Sequence, residues 1–124
     1  MSTPQSYRDV LAGNAAAQRA RMRMRQESLA ARMRDQGFKT WRKQTVSELE
    51  AGRRAIQADE ILGLAIALET TVLALMTPPF GAAAVVLPSG MPVAADRIAA
   101  MDDMIRWEGD HLVAVHSVPR RACR

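Results

Sequence analysis

The sequence predicts a mainly α protein: a five-helix domain over about residues 8–77, then a small extension, 78–124, carrying an amphipathic helix and short strands. Three observations carry this reading. The chain is 48% hydrophobic but only 4% aromatic, so its core is built from Ala, Leu, Ile, Val and Met, a palette that suits small helices. Apolar residues recur at helical spacing in short runs as far as Met76, with polar or glycine-containing breaks between them. The double proline Pro78-Pro79 then closes the helical pattern. A length of 124 residues suits one domain of ordinary size with a remainder that packs on it, pairs with a second copy or stays loose.

The first helix is expected over Val10 to Met24, ending near Met22, in an Ala- and Arg-rich stretch that only Gly13 weakens. Gln26 to Met33 places Leu29, Ala30 and Met33 on one face, with Glu27 early in the helix where its charge complements the dipole. Helix three is expected over Trp41 to Glu50, with Trp41, Thr45, Val46 and Leu49 in phase and Gly52 just past its end. A fourth, more apolar helix follows over Ala58 to Leu68, and a short fifth one over Val72 to Met76. Ala82 to Leu87 reads as a strand or a buried loop, which periodicity leaves open. Ala94, Ile98, Met101 and Ile105 recur at 4, 3, 4 spacing with Asp96, Asp102 and Asp103 outside them, the pattern of an amphipathic helix over 94–105. So narrow a seam commonly meets another helix, so Ile98, Met101 and Ile105 are the expected dimerisation residues. His111 to Val118 reads as a strand or an apolar strap, and the tail PRRACR as loose chain.

Charge is sorted along the chain. Residues 1–54 hold 12 Lys/Arg against 5 Asp/Glu, a balance of +7; residues 55–119 hold 2 against 8, a balance of −6; Arg120, Arg121 and Arg124 add three more positive charges. A basic half expects a polyanion or an acidic surface as partner, and an acidic half is repelled by phosphate and should face away from it. No stretch approaches the roughly 18 apolar residues of a membrane span, and residues 1–9 lack the pattern of a secretory leader, so no membrane partner and a cytoplasmic location are expected. The single cysteine, Cys123, has no disulfide partner, in keeping with a reducing compartment. His111, His116, Asp110 and Cys123 match no metal-ligand spacing, and the sequence shows no paired carboxylates, nucleophile with base or phosphate loop, so neither a metal, a cofactor nor an enzymatic activity is expected.

The most informative segment is two short helices joined by a turn, the second burying Val46 and Leu49 while exposing Arg42, Lys43, Gln44, Ser47 and Glu48. A major groove about 12 Å wide takes one helix edge-on, Lys or Arg suits guanine, and Gln suits adenine. The runs QESLA at 26–30, QTVSELEAGRR at 44–54 and DEILGLAIAL at 59–68 resemble the lambda-repressor-like (XRE/Cro) helix-turn-helix family, over about Leu11 to Met76. The resemblance implies a five-helix DNA-binding domain with base contacts from Lys43, Gln44 and Ser47; Arg42 joins them as an outward position of the same helix. It also implies that Gln26 anchors helix two to a phosphate and braces the recognition helix, that Arg53 and Arg54 contact phosphate after Gly52, and that Glu50 ties down this turn. Unlike the usual short turn of the family, Arg34 to Thr40 (RDQGFKT) is enlarged, similar to actinobacterial and phage variants, and Lys39 and Thr40 are placed to reach phosphate from it.

These observations predict a sequence-specific regulator of transcription, most simply a repressor of phage, prophage or host type, that binds double-stranded DNA as a homodimer. Two half-sites one helical turn apart raise both affinity and selectivity for so small a reader. Two rivals follow from the same residues: an antitoxin-like chain whose extension binds a protein partner, and an interaction scaffold that uses the fold without DNA.

Overall fold

The computed structural model describes residues 5–79, 84–101 and 105–114, and shows a mainly helical chain with short strands. His116, Arg120, Arg121, Cys123 and Arg124, singled out above, lie outside the described residues, as do Asp102 and Asp103.

A two-residue strand, β1 (Gln5–Ser6), leads into α1 (Tyr7–Arg21). Ser6 caps this helix, its hydroxyl accepting from the Asp9 N–H at 3.1 Å, so α1 starts three residues before the expected Val10. It ends where Arg23 turns left-handed at φ 53° and the Met24 N–H donates to the Arg19 carbonyl. α2 (Gln26–Asp35), α3 (Lys43–Glu50), α4 (Ala58–Ala67) and α5 (Val72–Met76) follow. The apolar faces of α1 to α5 meet in one core of Leu11, Leu29, Met33, Trp41, Val46, Leu49, Leu64, Leu68 and Leu75, all almost wholly buried. Polar side chains on α1 lock the outer helices to it. The Asn14 amide donates to the carbonyls of Leu75 and Thr77 at 2.8 and 2.7 Å, and the Gln18 amide donates to that of Leu68 at 2.9 Å. Each bond satisfies a carbonyl that the end of a helix leaves open.

The enlarged turn between α2 and α3 is fastened to the body at three points. Gln36 donates to the Gly63 carbonyl at 2.9 Å, Arg34 donates to the Trp41 carbonyl at 2.9 Å, and the Phe38 ring lies against α4. Gly37, at φ 101°, makes the bend that frees Phe38 to turn inward. Helix three begins at Lys43 and not, as expected, at Trp41. Trp41 is drawn into the core, its indole N–H donating to Glu60 at 3.0 Å, and the helix restarts beyond it where the Thr45 hydroxyl accepts from the Arg42 N–H at 3.0 Å.

Beyond α5 the chain changes character. β2 (Ala84–Val86) pairs in parallel with β1, Gln5 opposite Val85, and antiparallel with β3 (Pro92–Ala94), Val85 opposite Val93. A turn at Pro88–Gly90 joins β2 to β3, so the open choice at 82–87 resolves to a strand for its described part. A five-residue helix, α6 (Ala95–Ala99), follows, and β4 (Ile105–Glu108) and β5 (His111–Ala114) form a hairpin about Gly109 and Asp110.

The helix expected over 94–105 is therefore corrected to 95–99. Its two ends are claimed by sheets, Ala94 pairing with Ala84 and Ile105 with Ala114, and the α-helix described between them is α6 alone. Ile98 leaves the expected dimer seam as well, because it is buried with Val10 and Val85 in a second apolar cluster of its own chain. Met101 and Ile105 remain exposed. α1 serves as a wall for both clusters, Leu11 and Ala15 facing the first and Val10 the second.

Gly63 tests the packing of the enlarged turn. A Cβ there would sit 2.7 Å from Phe38 Cε2 and 3.3 Å from Met33 Cε. Gly63→Ala is expected to destabilise the fold by about 1–3 kcal/mol through overpacking, measured by urea denaturation. Unchanged stability would show that the Phe38 ring does not rest there.

Candidate nucleic-acid interface

α3 is an eight-residue helix with two sharply different sides. Val46 and Leu49 are buried; Lys43, Gln44 and Ser47, spaced i, i+1, i+4, are exposed and share the other face. Its C-terminus is closed by Gly52 at φ 74°, with the Gly52 N–H donating to the Leu49 carbonyl and the Arg53 N–H to the Glu48 carbonyl, each at 3.0 Å. Exposed polar and basic groups flank both ends, Lys39 and Thr40 in the preceding turn and Arg53 in the following one. Arg23 and Arg25, between α1 and α2, are also exposed and form no ion pair among the described residues.

The orientation of α3 is set by Glu50 at its last turn. One carboxylate oxygen accepts from Arg19 Nε at 2.6 Å; the other accepts from Arg19 Nη2 at 2.9 Å and from the Gln26 amide at 3.0 Å. The bidentate hydrogen bond to Glu50 raises the Arg19 pKa above its ordinary value, against the opposing effect of burial. Arg19 also donates to the Met24 carbonyl at 2.7 Å, which ties the α1–α2 turn into the same cluster. Gln26 thus reaches α3 as a brace, and Glu50 joins α1, α2 and α3; the turn that follows it is closed by backbone bonds and not by Glu50.

Two of the residues expected to contact DNA are engaged within the chain. Arg42, expected at base edges, caps α3 with its backbone, and its guanidinium folds back to donate to the carbonyls of Lys39 and Trp41, both at 2.9 Å. Arg54, expected at phosphate, is turned inward: it donates to both oxygens of Glu60 at 3.1 Å and lies 5.0 Å from the centre of the Trp41 ring. Glu60 is the buried acidic residue of this domain and also accepts from the Trp41 indole and from the Gln57 N–H at 3.0 Å. Burial pushes its carboxyl pKa up, but the bonds from Arg54, Gln57 and Trp41 outweigh that and leave it below the usual carboxylate range.

Sequence reasoning missed Glu60 and the bracing role of Arg19. A signal for the first was present: Gln57 and Glu60 stand at the spacing of a capping box, and a buried tryptophan requires an acceptor. No comparable local signal marked Arg19, whose partner lies 31 positions away. Among the described residues no three His, Cys, Asp or Glu side chains cluster as metal ligands, and no helix is long and apolar enough to cross a membrane.

Two predictions test these clusters. Because the Glu60 carboxyl titrates lower in the folded than in the unfolded chain, its contribution is present at neutral pH and is lost as pH falls through the carboxylate range, below about pH 4. Glu60→Gln is accordingly expected to cost about 2 kcal/mol at pH 7, and urea titrations across pH should show the difference shrinking in acid. Glu50→Ala, which leaves Arg19 without its carboxylate, is expected to cost a similar amount, about 2 kcal/mol, and to speed amide exchange across α3 and the first turn of α2 more than across α5.

No family model and no curated protein matches the chain. Among solved structures, the crystal structure of a hypothetical transcription factor, NHTF, from Neisseria aligns with a TM-score of 0.53 and 30% sequence identity, covering 60% of this chain and 78% of that one. With that identity over most of the Neisseria protein, and with a shared fold, the chain belongs to the same family as NHTF.

Proposed function

We propose that this chain is a sequence-specific DNA-binding regulator of transcription, a repressor of the lambda-repressor-like (XRE/Cro) kind, that reads the major groove with α3. The observation that carries the reading is the exposed face of Lys43, Gln44 and Ser47 on a helix whose other side is buried and whose last turn is clamped by Arg19 and Gln26. Lys43 and Gln44 match guanine and adenine edges, and a clamped helix presents them in one register. Lys39, Thr40 and Arg53, exposed at its two ends, suit phosphates on either side of the groove. The related Neisseria protein is a hypothetical transcription factor, which agrees with this chemistry. With three side chains at base edges per copy, useful selectivity calls for two copies on half-sites about 34 Å apart. The role is one of binding and needs neither a cofactor nor a catalytic group.

A second reading, in which the extension binds a protein partner as an antitoxin does, is favoured by the exposure of Met91 and Leu112 there. Co-purification of a stoichiometric partner that Leu112→Glu releases is its signature.

The deciding experiment is a titration of the purified chain against its own promoter and random DNA at several salt concentrations, with the mass of the complex from light scattering. Preferential binding with a steep salt slope and two chains per site is expected. Gln44→Ala should cost about 1–3 kcal/mol on the specific site and little on random DNA. Arg53→Ala should weaken both and reduce the salt slope by about 1. Equal affinity for both DNAs at about 0.15 M salt would sink the regulator reading.

A further inference from the structure

An open cleft of about 670 Å³ lies where α5 and the start of α1 meet the extension. Its walls include Tyr7 on α1, Val72 and Met76 on α5, Val93 on β3, and Met101 and Ile105 beyond α6. No charged side chain lines it among the described residues, and the polar side chains among its described lining residues are Tyr7 and Thr71. The Thr71 hydroxyl already accepts from the Ala74 N–H as the cap of α5, so its proton remains to be donated.

We propose that this cleft is a binding site for an uncharged, largely apolar small molecule carrying a hydrogen-bond acceptor or hydroxyl that meets Tyr7 and Thr71. The volume lies within the range of small-molecule sites, roughly 300–1,000 Å³, and apolar walls with a few convergent polar groups are their usual chemistry. A charged ligand would lose its hydration without gaining a partner on these walls. A second copy of the chain fits less well, because the accessible lining is only a small part of the roughly 800 Å² per partner that a stable interface buries. The site stands independently of the DNA reading, since Lys43, Gln44 and Ser47 take no part in it.

The test uses the full chain and Nile red, an uncharged apolar dye whose emission rises and shifts to the blue in apolar surroundings. Saturable binding of one dye per chain is expected. Val72→Glu and Met101→Glu, at positions already 38% and 45% exposed, should each weaken it at least tenfold with thermal unfolding unchanged. Leu62→Glu, on the exposed side of α4 and outside the cleft, should leave it intact. A carboxylated dye of similar size should bind at least tenfold more weakly than Nile red. The proposal is overturned if no saturable binding occurs, if Leu62→Glu weakens it as much as Val72→Glu, or if the carboxylated dye binds equally well. It is also overturned if light scattering shows the dye displaced as chains pair, which would give the cleft to a second copy.

Discussion

Three helices converge on one carboxylate. Glu50, on the last turn of α3, accepts from Arg19 of α1 and from Gln26 at the start of α2, and the exposed face of α3 inherits its position from that cluster. Hydrophobic contact alone holds α3 by Val46 and Leu49, two side chains on a helix of eight residues, which leaves rotation about its axis weakly determined. A bidentate guanidinium pair fixes direction as well as distance. Buried ion pairs often add little net stability, so the value of this one lies chiefly in specifying a single arrangement.

A second acidic centre does the same for the entry to α3. Glu60 gathers the Trp41 indole, the Arg54 guanidinium and the Gln57 N–H, so the tryptophan two residues before α3, an arginine beyond its end and the start of α4 are joined through one side chain. The enlarged turn is fastened onto this frame by Gln36 and Phe38 against Gly63 and by Arg34 to the Trp41 carbonyl. The enlarged turn thus forms a fastened shoulder from which Lys39 and Thr40 project. Glu50 thus fixes the last turn of α3, and Glu60 fixes its entry through Trp41.

Where sequence period, glycine and proline coincide, the reading from sequence was reliable: α2, α4 and α5 occupy nearly the residues expected, and the exposed set Lys43, Gln44 and Ser47 follows from their phase against Val46 and Leu49. It was weaker where a distant partner decides the outcome. Arg19 and Arg54 look alike as surface basic residues, yet a carboxylate turns each inward, and nothing local to either reports it. Ile98 shows the same limit in the extension, since a 4, 3, 4 spacing is equally compatible with a helical seam and with a short helix whose neighbours at Ala94 and Ile105 lie in strands. β pairing chose between them, and pairing is a property of residues far apart.

The parallel pairing of Gln5 with Val85 has a bearing on how the molecule comes into being. All the contacts that build the first core lie within residues 11–76, so that core can close while the chain is still being synthesised, from mostly local helix pairs that form quickly. The strand at residues 5–6 must wait for a partner some 80 positions later in the chain. Assembly is therefore expected to run in two stages, with the helical body complete first and its own leading edge the last part to find a place.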